Sequence, residues 1–595
     1  MTSALTESAK TQSPFSYLYT RVALNHLGET SAIIISTLIS YGRLTAKDIS
    51  IKSKLTLKQV KIALVSLIQL NCIQYWKENS SKSVFYTFND RGIITLLHAG
   101  DIIARIKLQY GEKAAELVQN IIENGNITVK DFISTLSDEQ EKYDNMAILV
   151  KLFNDGWLHR LQIFNYHPAE DLWNKMYQET LKNTPRSATT SEIKRVAEAT
   201  EKTKIKFNDL FLSGNESKDV FIVESGIHQL KSSITLGFNL SRFEKHLRSR
   251  ALSDMAKSRL GLLTGFIYEQ CCSLIEQKSA DLRHRYQDIS GLITNPEEER
   301  VFLSSVENAL VDSKMTVFTI RDLMRHLPPD LDLRNSILTQ NFLKPAKRVN
   351  VNGTDQPHKK IKLEDGLAIT EMDIEFESDF HAENGDGPLS MTLVAEHLRL
   401  LTFNTVPFLF EVAPGSYTIP FLQLSKHVKQ FHYEALIKTT MGTNALRILK
   451  CIKAMKLVDE KAISNLVLLK ERTVKNELYH LINMNVIEIQ EVPRSADRAA
   501  SKTFYLFRHK DASLYRFLSH ALAFNMGDIL TNIELFKAEH KILLEKCERE
   551  DVKGHEEELL LESELKTLRD LQLREISNIG RFNRVKWLFT VFGTL

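Results

Sequence analysis

The chain has 595 residues, well beyond the roughly 250 to 300 at which a single hydrophobic core stops growing, so several domains are expected. Its 77 basic and 74 acidic residues leave a formal charge of +3, too balanced to mark the whole chain as a nucleic-acid binder. Cys72, Cys271, Cys272, Cys451 and Cys547 are scattered without a Cys-x-x-Cys spacing, which supports neither a zinc site nor a disulfide framework and fits a reducing compartment.

The N-terminal stretch contains Thr, Ser and Lys rather than an apolar signal core. The longest apolar run, Ala32 to Ile39, falls far short of the ~20 residues of a membrane span, so a soluble intracellular chain is expected. Glu29 to Ser40 reads as an apolar helix, and Ala46 to Ile51 as a short second one after a turn at Gly42 and Arg43. Leu57, Val60, Leu64 and Leu67 then recur at helical spacing and Thr56 with Gln59 forms a capping box, predicting a third helix over Thr56 to Leu70. Ile73 to Trp76 and Val84 to Phe88 alternate with period two around the polar tip Glu78 to Lys82. Three helices followed by a hairpin is the order of a winged helix, which presents a helix face and a wing rather than an active-site cleft.

The same order returns three times, at spacings too irregular for a solenoid. In the second copy, Lys113 to Glu123, Thr128 to Leu136 and Tyr143 to Asp155 are the helices and Trp157 to Phe164 the first strand. The returning strand, Ile234 to Asn239, is delayed by an insertion whose Asn183 to Lys206 stretch shows no core pattern. The third copy is read as Glu297 to Val311, Val317 to Leu327 and Pro388 to Leu401, then a hairpin turning at Ala413, Pro414 and Gly415. In the fourth, Thr443 to Met455, Ala462 to Leu466 and Glu471 to Met484 precede strands at Val486 to Val492 and Thr503 to Phe507. Beyond it, Ile529, Ile533, Phe536, Leu543 and Cys547 step by fours and threes with His540 filling one position, and Leu561, Leu565 and Leu568 resume the pattern, predicting an antiparallel hairpin. The final apolar run from Ile576 to Phe592 must dock back or bind a partner. The expected fold is mainly α with small β-hairpins: four tandem winged-helix domains plus a C-terminal antiparallel coiled-coil hairpin. The boundaries are 15–100, 101–243 with an insertion at about 166–232, 244–425 with a disordered charged insertion at about 341–388, 426–510, and 511–595.

That charged insertion is basic at first (Lys344, Lys347, Arg348, Lys359, Lys360, Lys362), then acidic from Glu364 to Asp386 without a Lys or Arg. Lys347 and Arg348, followed after ten residues by Lys359, Lys360 and Lys362, have the spacing of a bipartite nuclear import signal. In the fourth copy, Arg472, Lys475, Asn476, Tyr479 and Asn483 share the face opposite Val474 and Leu478, and Arg494, Arg498 and Lys502 lie on the wing. Such side chains bind phosphates and stack on bases, although a merely solvated face remains an equal alternative. In the first copy the outward face is Lys58, Lys61, Ile62, Val65 and Gln69, whose exposed aliphatics suit a protein partner. The third copy offers His397 and Arg399, again a protein contact. No phosphate loop, dinucleotide fingerprint, zinc-protease helix or nucleophile elbow occurs, so no catalytic, cofactor-binding or metal residues are expected, and no small-molecule substrate.

With Leu27-Gly28-Glu29 through Leu70-Asn71-Cys72-Ile73 at one end, and Arg447-Ile448-Leu449 through Tyr479-His480-Leu481 and Phe504-Tyr505-Leu506-Phe507 toward the other, the chain resembles a known family along nearly its whole length. That family is the RNA polymerase III-specific third-largest subunit in its fungal form, related to the alpha subunit of transcription factor IIE. The resemblance implies a noncatalytic subunit in a nuclear enzyme that makes transfer RNA, 5S ribosomal RNA and other small RNAs. It implies as partners the other members of a heterotrimeric subcomplex, the clamp of the largest subunit, and melting promoter DNA bound without sequence preference. Transcription factor IIE alpha carries a zinc ribbon, which the missing Cys-x-x-Cys disfavours here. Two other readings stand beside it: a winged-helix scaffold that binds only protein, and a free-standing sequence-specific factor, the latter disfavoured because no recognition face is uniformly polar and basic.

Overall fold

The computed structural model describes residues 12–78, 83–136, 138–184, 192–212, 220–224, 227–293, 295–334, 336–337, 389–493 and 503–595. These divide between two compact units, one within Met1–Arg248, Ala280–Val306 and Ser425–Leu595, the other within Ser249–Ser279 and Glu307–Leu424.

The first unit opens with α1 (Pro14–Tyr41), broken at Gly28, whose φ of 80° no helix interior accommodates. By length and composition α1 is the one helix among the described residues that passes for a membrane span. Its break and the burial of Leu18, Val22, Ile34, Ile35 and Leu38 make it instead the centre of the core. The first winged helix follows as β1 (Leu44–Thr45), α2 (Ala46–Ser53), α3 (Leu57–Gln69), β2 (Ile73–Lys77) and β3 (Val84–Phe88), with the strands in the order β1-β3-β2. The expected capping box is formed: Gln59 N–H donates to Thr56 Oγ1 at 3.3 Å and Thr56 N–H to Gln59 Oε1 at 3.1 Å. Val60, Leu64 and Leu67 are buried as their spacing predicts.

Helices α4 (Asp90–Leu97) and α5 (Ala99–Tyr110) lead to the second copy: α6 (Glu112–Asn124), β4 (Ile127–Thr128), α7 (Val129–Thr135), α8 (Glu139–Asn154) and β5 (Leu158–Arg160). The strand expected over Trp157 to Phe164 ends at Arg160, because Gln162 N–H donates to Asn165 Oδ1 at 3.0 Å and starts α9 (Ile163–Tyr166). The insertion holds α10 (Ala169–Asn183), α11 (Glu192–Leu212) and the hairpin β6 (Phe221–Glu224) with β7 (Ile227–Leu230). The stretch read as lacking a core pattern is therefore helical where described, and Ala199, Thr203 and Phe207 of α11 are fully buried. Phe207 packs on Trp173 and Tyr286 in a satellite core. Two of those three positions are small or polar, so hydrophobic spacing hides the stripe. The delayed strand is confirmed as β8 (Thr235–Phe238), which lies between β4 and β5.

Gly125 sets the approach of the first two copies to each other, and Gly92 sets a close approach within the first. Gly125 closes α6 at φ 78°, and a Cβ there would stand 2.7 Å from the Gln69 carbonyl carbon and 2.9 Å from Leu70 Cα. Gly92 in α4 faces the same turn, 2.6 Å from the Leu70 carbonyl oxygen by the same measure.

The chain continues through α12 (Leu240–Leu260), α13 (Leu262–Glu276), α14 (Pro296–Asp312), β9 (Phe318–Thr319), α15 (Ile320–His326), α16 (Met391–Thr402), β10 (Phe410–Ala413) and β11 (Ser416–Thr418). In the second unit, β9, β10 and β11 form a sheet in the order β10-β11-β9, and α13 packs on α15, α16 and β9. The third copy thus takes its first helix from Leu262–Glu276, a correction to the expected Glu297 to Val311. Helix α13 brings the apolar face Ile267, Cys271, Cys272 and Ile275, whereas α14 has an acidic first turn and buries no residue. The charged insertion, with Lys347, Arg348, Lys359, Lys360 and Lys362, lies outside the described residues.

Back in the first unit, α17 (Phe421–Met441) precedes the fourth copy: α18 (Thr443–Met455), α19 (Glu460–Val467), α20 (Glu471–Asn483), β12 (Ile487–Pro493) and β13 (Thr503–His509). Val474, Leu478 and Leu481 are its buried stripe, as expected. The tail is α21 (Asp511–Glu539), α22 (Lys541–Cys547), α23 (Glu556–Leu559) and α24 (Glu562–Gly593), with α21 packed against both α24 and α1. The final segment docks back on its own chain: Phe589, Val591 and Phe592 are buried, Phe592 stacking on Tyr515 with centroids 5.8 Å apart. Lys586 Nζ donates to Asp101 Oδ2 at 2.7 Å, the oxygen that also meets His98 Nδ1 at 3.2 Å. Burial opposes the charge on Asp101, but the hydrogen bonds from His98 and Lys586 and the nearby ammonium outweigh it and hold the carboxyl at about 2.

Candidate nucleic-acid and subunit-docking faces

The third helix of a winged helix is clamped on one side by its own core and offers the other to a partner. In the fourth copy α20 buries Val474, Leu478 and Leu481, so residues half a turn away are thrown outward. Arg472, Lys475, Asn476, Tyr479 and Asn483 are all exposed together, as their spacing predicts. Lys475 is 3.4 Å from Glu460 on α19, an exposed pair that a phosphate can displace at little cost. The three wing residues meant to extend this face, Arg494, Arg498 and Lys502, lie outside the described residues; the flanking strands β12 and β13 pair in register from Ile487 and His509 to Pro493 and Thr503.

The equivalent helix of the first copy carries different chemistry. Ile62 is 61% and Val65 65% exposed on α3, flanked by the exposed Lys58 and Lys61. Aliphatic groups at the centre of that face find nothing to hydrogen-bond on a base edge, but exclude water well against protein.

For the third copy the expectation fails in part. His397 does not point to a partner; it is buried, with Nδ1 3.0 Å from Thr264 Oγ1 and Nε2 2.9 Å from Ser336 Oγ. Burial pushes the imidazole down to about 4. The folded state therefore resists protonation where the unfolded chain accepts it near 6.5, so this contribution is complete above about 6.5 and is lost as pH falls toward 4. Hydrogen-exchange protection of α16 is expected to fall between pH 7 and 5 by up to about 1.4 kcal/mol per pH unit, and His397→Gln is expected to flatten that dependence.

One feature of the fourth copy escaped sequence reasoning. Leu457, Leu466 and Leu468 are exposed around the turns that flank α19, and Leu468 holds φ 55°. A leucine in the left-handed region is unusual, and no periodic pattern marks it. Among the described residues no group of His, Cys, Asp or Glu is arranged to hold a metal ion.

Comparison with known proteins places the chain in a family. The family described as RNA polymerase III subunit RPC82 matches residues 147–428, and its helix-turn-helix domain matches residues 17–78. The C-terminal winged-helix domain of POLR3C matches residues 433–509, and the helical hairpin domain of DNA-directed RNA polymerase III subunit RPC3 matches residues 542–593. The protein of Debaryomyces hansenii named DNA-directed RNA polymerase III subunit RPC3 is 57% identical, with all of each chain covered. Its namesake in Candida albicans is 48% identical over 99% of this chain and 98% of its own. That of Saccharomyces cerevisiae is 36% identical over 98% of this chain and 94% of its own. With all four modules matched in chain order and relatives aligned end to end, this chain belongs to the RPC3 family of RNA polymerase III subunits.

Proposed function

We propose that this subunit performs no chemistry of its own and works by docking, holding the polymerase with some modules while others approach DNA as it melts. It acts in the nucleus, within a heterotrimeric subcomplex on the clamp of the largest subunit, and helps open promoters of transfer RNA, 5S ribosomal RNA and other small-RNA genes. The observation that carries this reading is the contrast between equivalent helices. On α3, Ile62 and Val65 between Lys58 and Lys61 suit a protein surface; on α20, Arg472, Lys475, Asn476 and Tyr479 suit phosphate and an unstacked base. Phosphate contacts make DNA binding salt-sensitive and nearly independent of sequence.

Changing Arg494, Arg498 and Lys502 together to Glu is expected to weaken binding of single-stranded DNA and to reduce the slope of log affinity against log salt by about 2, at ~0.7 per lost contact. Assembly with the other subunits is expected to persist. Unchanged DNA binding removes the wing from the DNA path. A protein-only scaffold is the alternative, favoured by the exposed Leu457, Leu466 and Leu468 beside α20. The isolated chain is expected to bind a nucleic-acid column at low salt and leave it as salt rises; passage without retention favours the scaffold.

A further inference from the structure

Helix α24 is partnered on one side. Toward α21 it sends Glu575, whose Oε1 accepts from Lys537 Nζ at 2.6 Å, Arg574, whose guanidinium lies 4.9 Å from the Phe536 ring centroid, and the buried Leu571. Lys546 on α22 donates to Glu564 at 2.8 Å on the same side. At 3.6 residues per turn the opposite side runs through Arg569, Leu573, Ile576, Gly580 and Arg584, in steps of four, three, four and four. A hairpin helix whose back faces only water carries polar groups there. Instead Leu573 is 65% and Ile576 67% exposed, with Ile579 beside them. A Cβ on Gly580 would meet nothing within 4 Å except the Arg584 guanidinium at 3.8 Å, so the row is open as well as apolar.

Alternating steps of three and four are the spacing by which one helix receives another, and a glycine in the row lets the second backbone come close. The flanks supply a sign. Lys566, Arg581 and Arg584 have no ion pair among the described residues, and Arg569 has only the exposed Glu557 at 3.4 Å. Asp570 borders the row and Glu562 lies on its line a turn before Lys566, so basic residues outnumber acids along it. Nucleic acid fits this surface poorly, since the aliphatics occupy its middle and the charges its ends.

We propose that the outer face of α24 is the seat of an amphipathic helix from another subunit, with aliphatic residues three and four apart and Asp or Glu beside them. This deepens the docking role proposed above and rests on it. The helix completes a three-helix arrangement with α21 and α24, its apolar stripe covering Leu573 and Ile576 and its acids meeting Arg569 and Arg584.

A photoreactive benzoylphenylalanine at Ile576 of the full chain, within polymerase purified from cells, tests the proposal, with the same residue at Glu545 on α22 as control. The expected result is a cross-link from position 576 to one segment of another subunit bearing that pattern, absent from position 545. Arg569→Glu with Arg584→Glu is expected to lower its yield at least tenfold, and changing two of the partner's acids to Lys is expected to restore it. Arg569 and Arg584 are exposed, so the fold survives their substitution. A chain that assembles normally but gives no protein cross-link at 576, or one to nucleic acid or to a segment lacking acids, overturns the proposal and leaves the docking role intact. A chain that does not co-purify with the polymerase overturns both.

Discussion

Gly125→Ala is expected to loosen the first two winged helices from each other and to destabilise the first unit by about 2 to 5 kcal/mol. The figure joins about 1 to 2 kcal/mol for forcing a side chain into the left-handed region with a further 1 to 3 kcal/mol for overpacking. The obstruction is backbone, the Gln69 carbonyl and Leu70 Cα, and cannot swing aside as a side chain would. Gly111→Ala supplies the control, because Gly111 holds φ 92° but nothing lies within 4 Å of its Cβ position. That variant is expected to show the strain alone. Denaturant unfolding with proteolytic mapping between residues 69 and 125 separates the two, since clash but not strain makes the junction cleavable in the folded protein.

Asp101→Ala is expected to cost about 3 to 5 kcal/mol, because it leaves the Lys586 ammonium buried without a counter-charge. Lys586→Met is expected to cost far less: Asp101 is partly exposed and its carboxylate passes to water, while methionine fills the lysine's space. Fluorescence of the neighbouring Trp587 during urea unfolding reads both. The carboxyl's contribution is present above its unfolded value near 3.9 and disappears as pH falls toward 2, so the deficit of Asp101→Ala relative to the unsubstituted chain shrinks only under strong acid.

The modules were legible wherever one local signal decided them. Thr56 with Gln59 marked a helix start, Val60 to Leu67 a buried face that leaves Leu57 exposed, and Val84 to Phe88 a strand, because capping and periodicity act within a few residues. The second copy's returning strand was legible despite the insertion, as β8 alternates whatever precedes it. The first helix of the third copy was not. Its identity depends on α13 reaching α15 and α16, and no local feature tells a helix that packs at a distance from one next in line. Helix α11 was missed because Ala199 and Thr203 bury without advertising it. On the faces, the exposure of Arg472, Lys475, Asn476, Tyr479, Ile62 and Val65 follows from which neighbours are buried, so spacing revealed it. For His397 spacing misled, since its partners Thr264 and Ser336 come from remote parts of the chain.

Contacts between the two ends of the sequence determine when this subunit becomes whole. Tyr17 shares a hydrogen bond of 2.7 Å with Thr531, Arg21 reaches Glu534 at 3.1 Å, and Phe15 rests on Phe589 with centroids 5.7 Å apart. Helices α21 and α24 are made long after α1 to α4, so the face of α1 that meets them stays uncovered until late in synthesis. The second unit lies between these ends in the sequence and can close earlier. A chain cut before α21 is therefore expected to leave that face of α1 open to proteolysis while the second unit still folds.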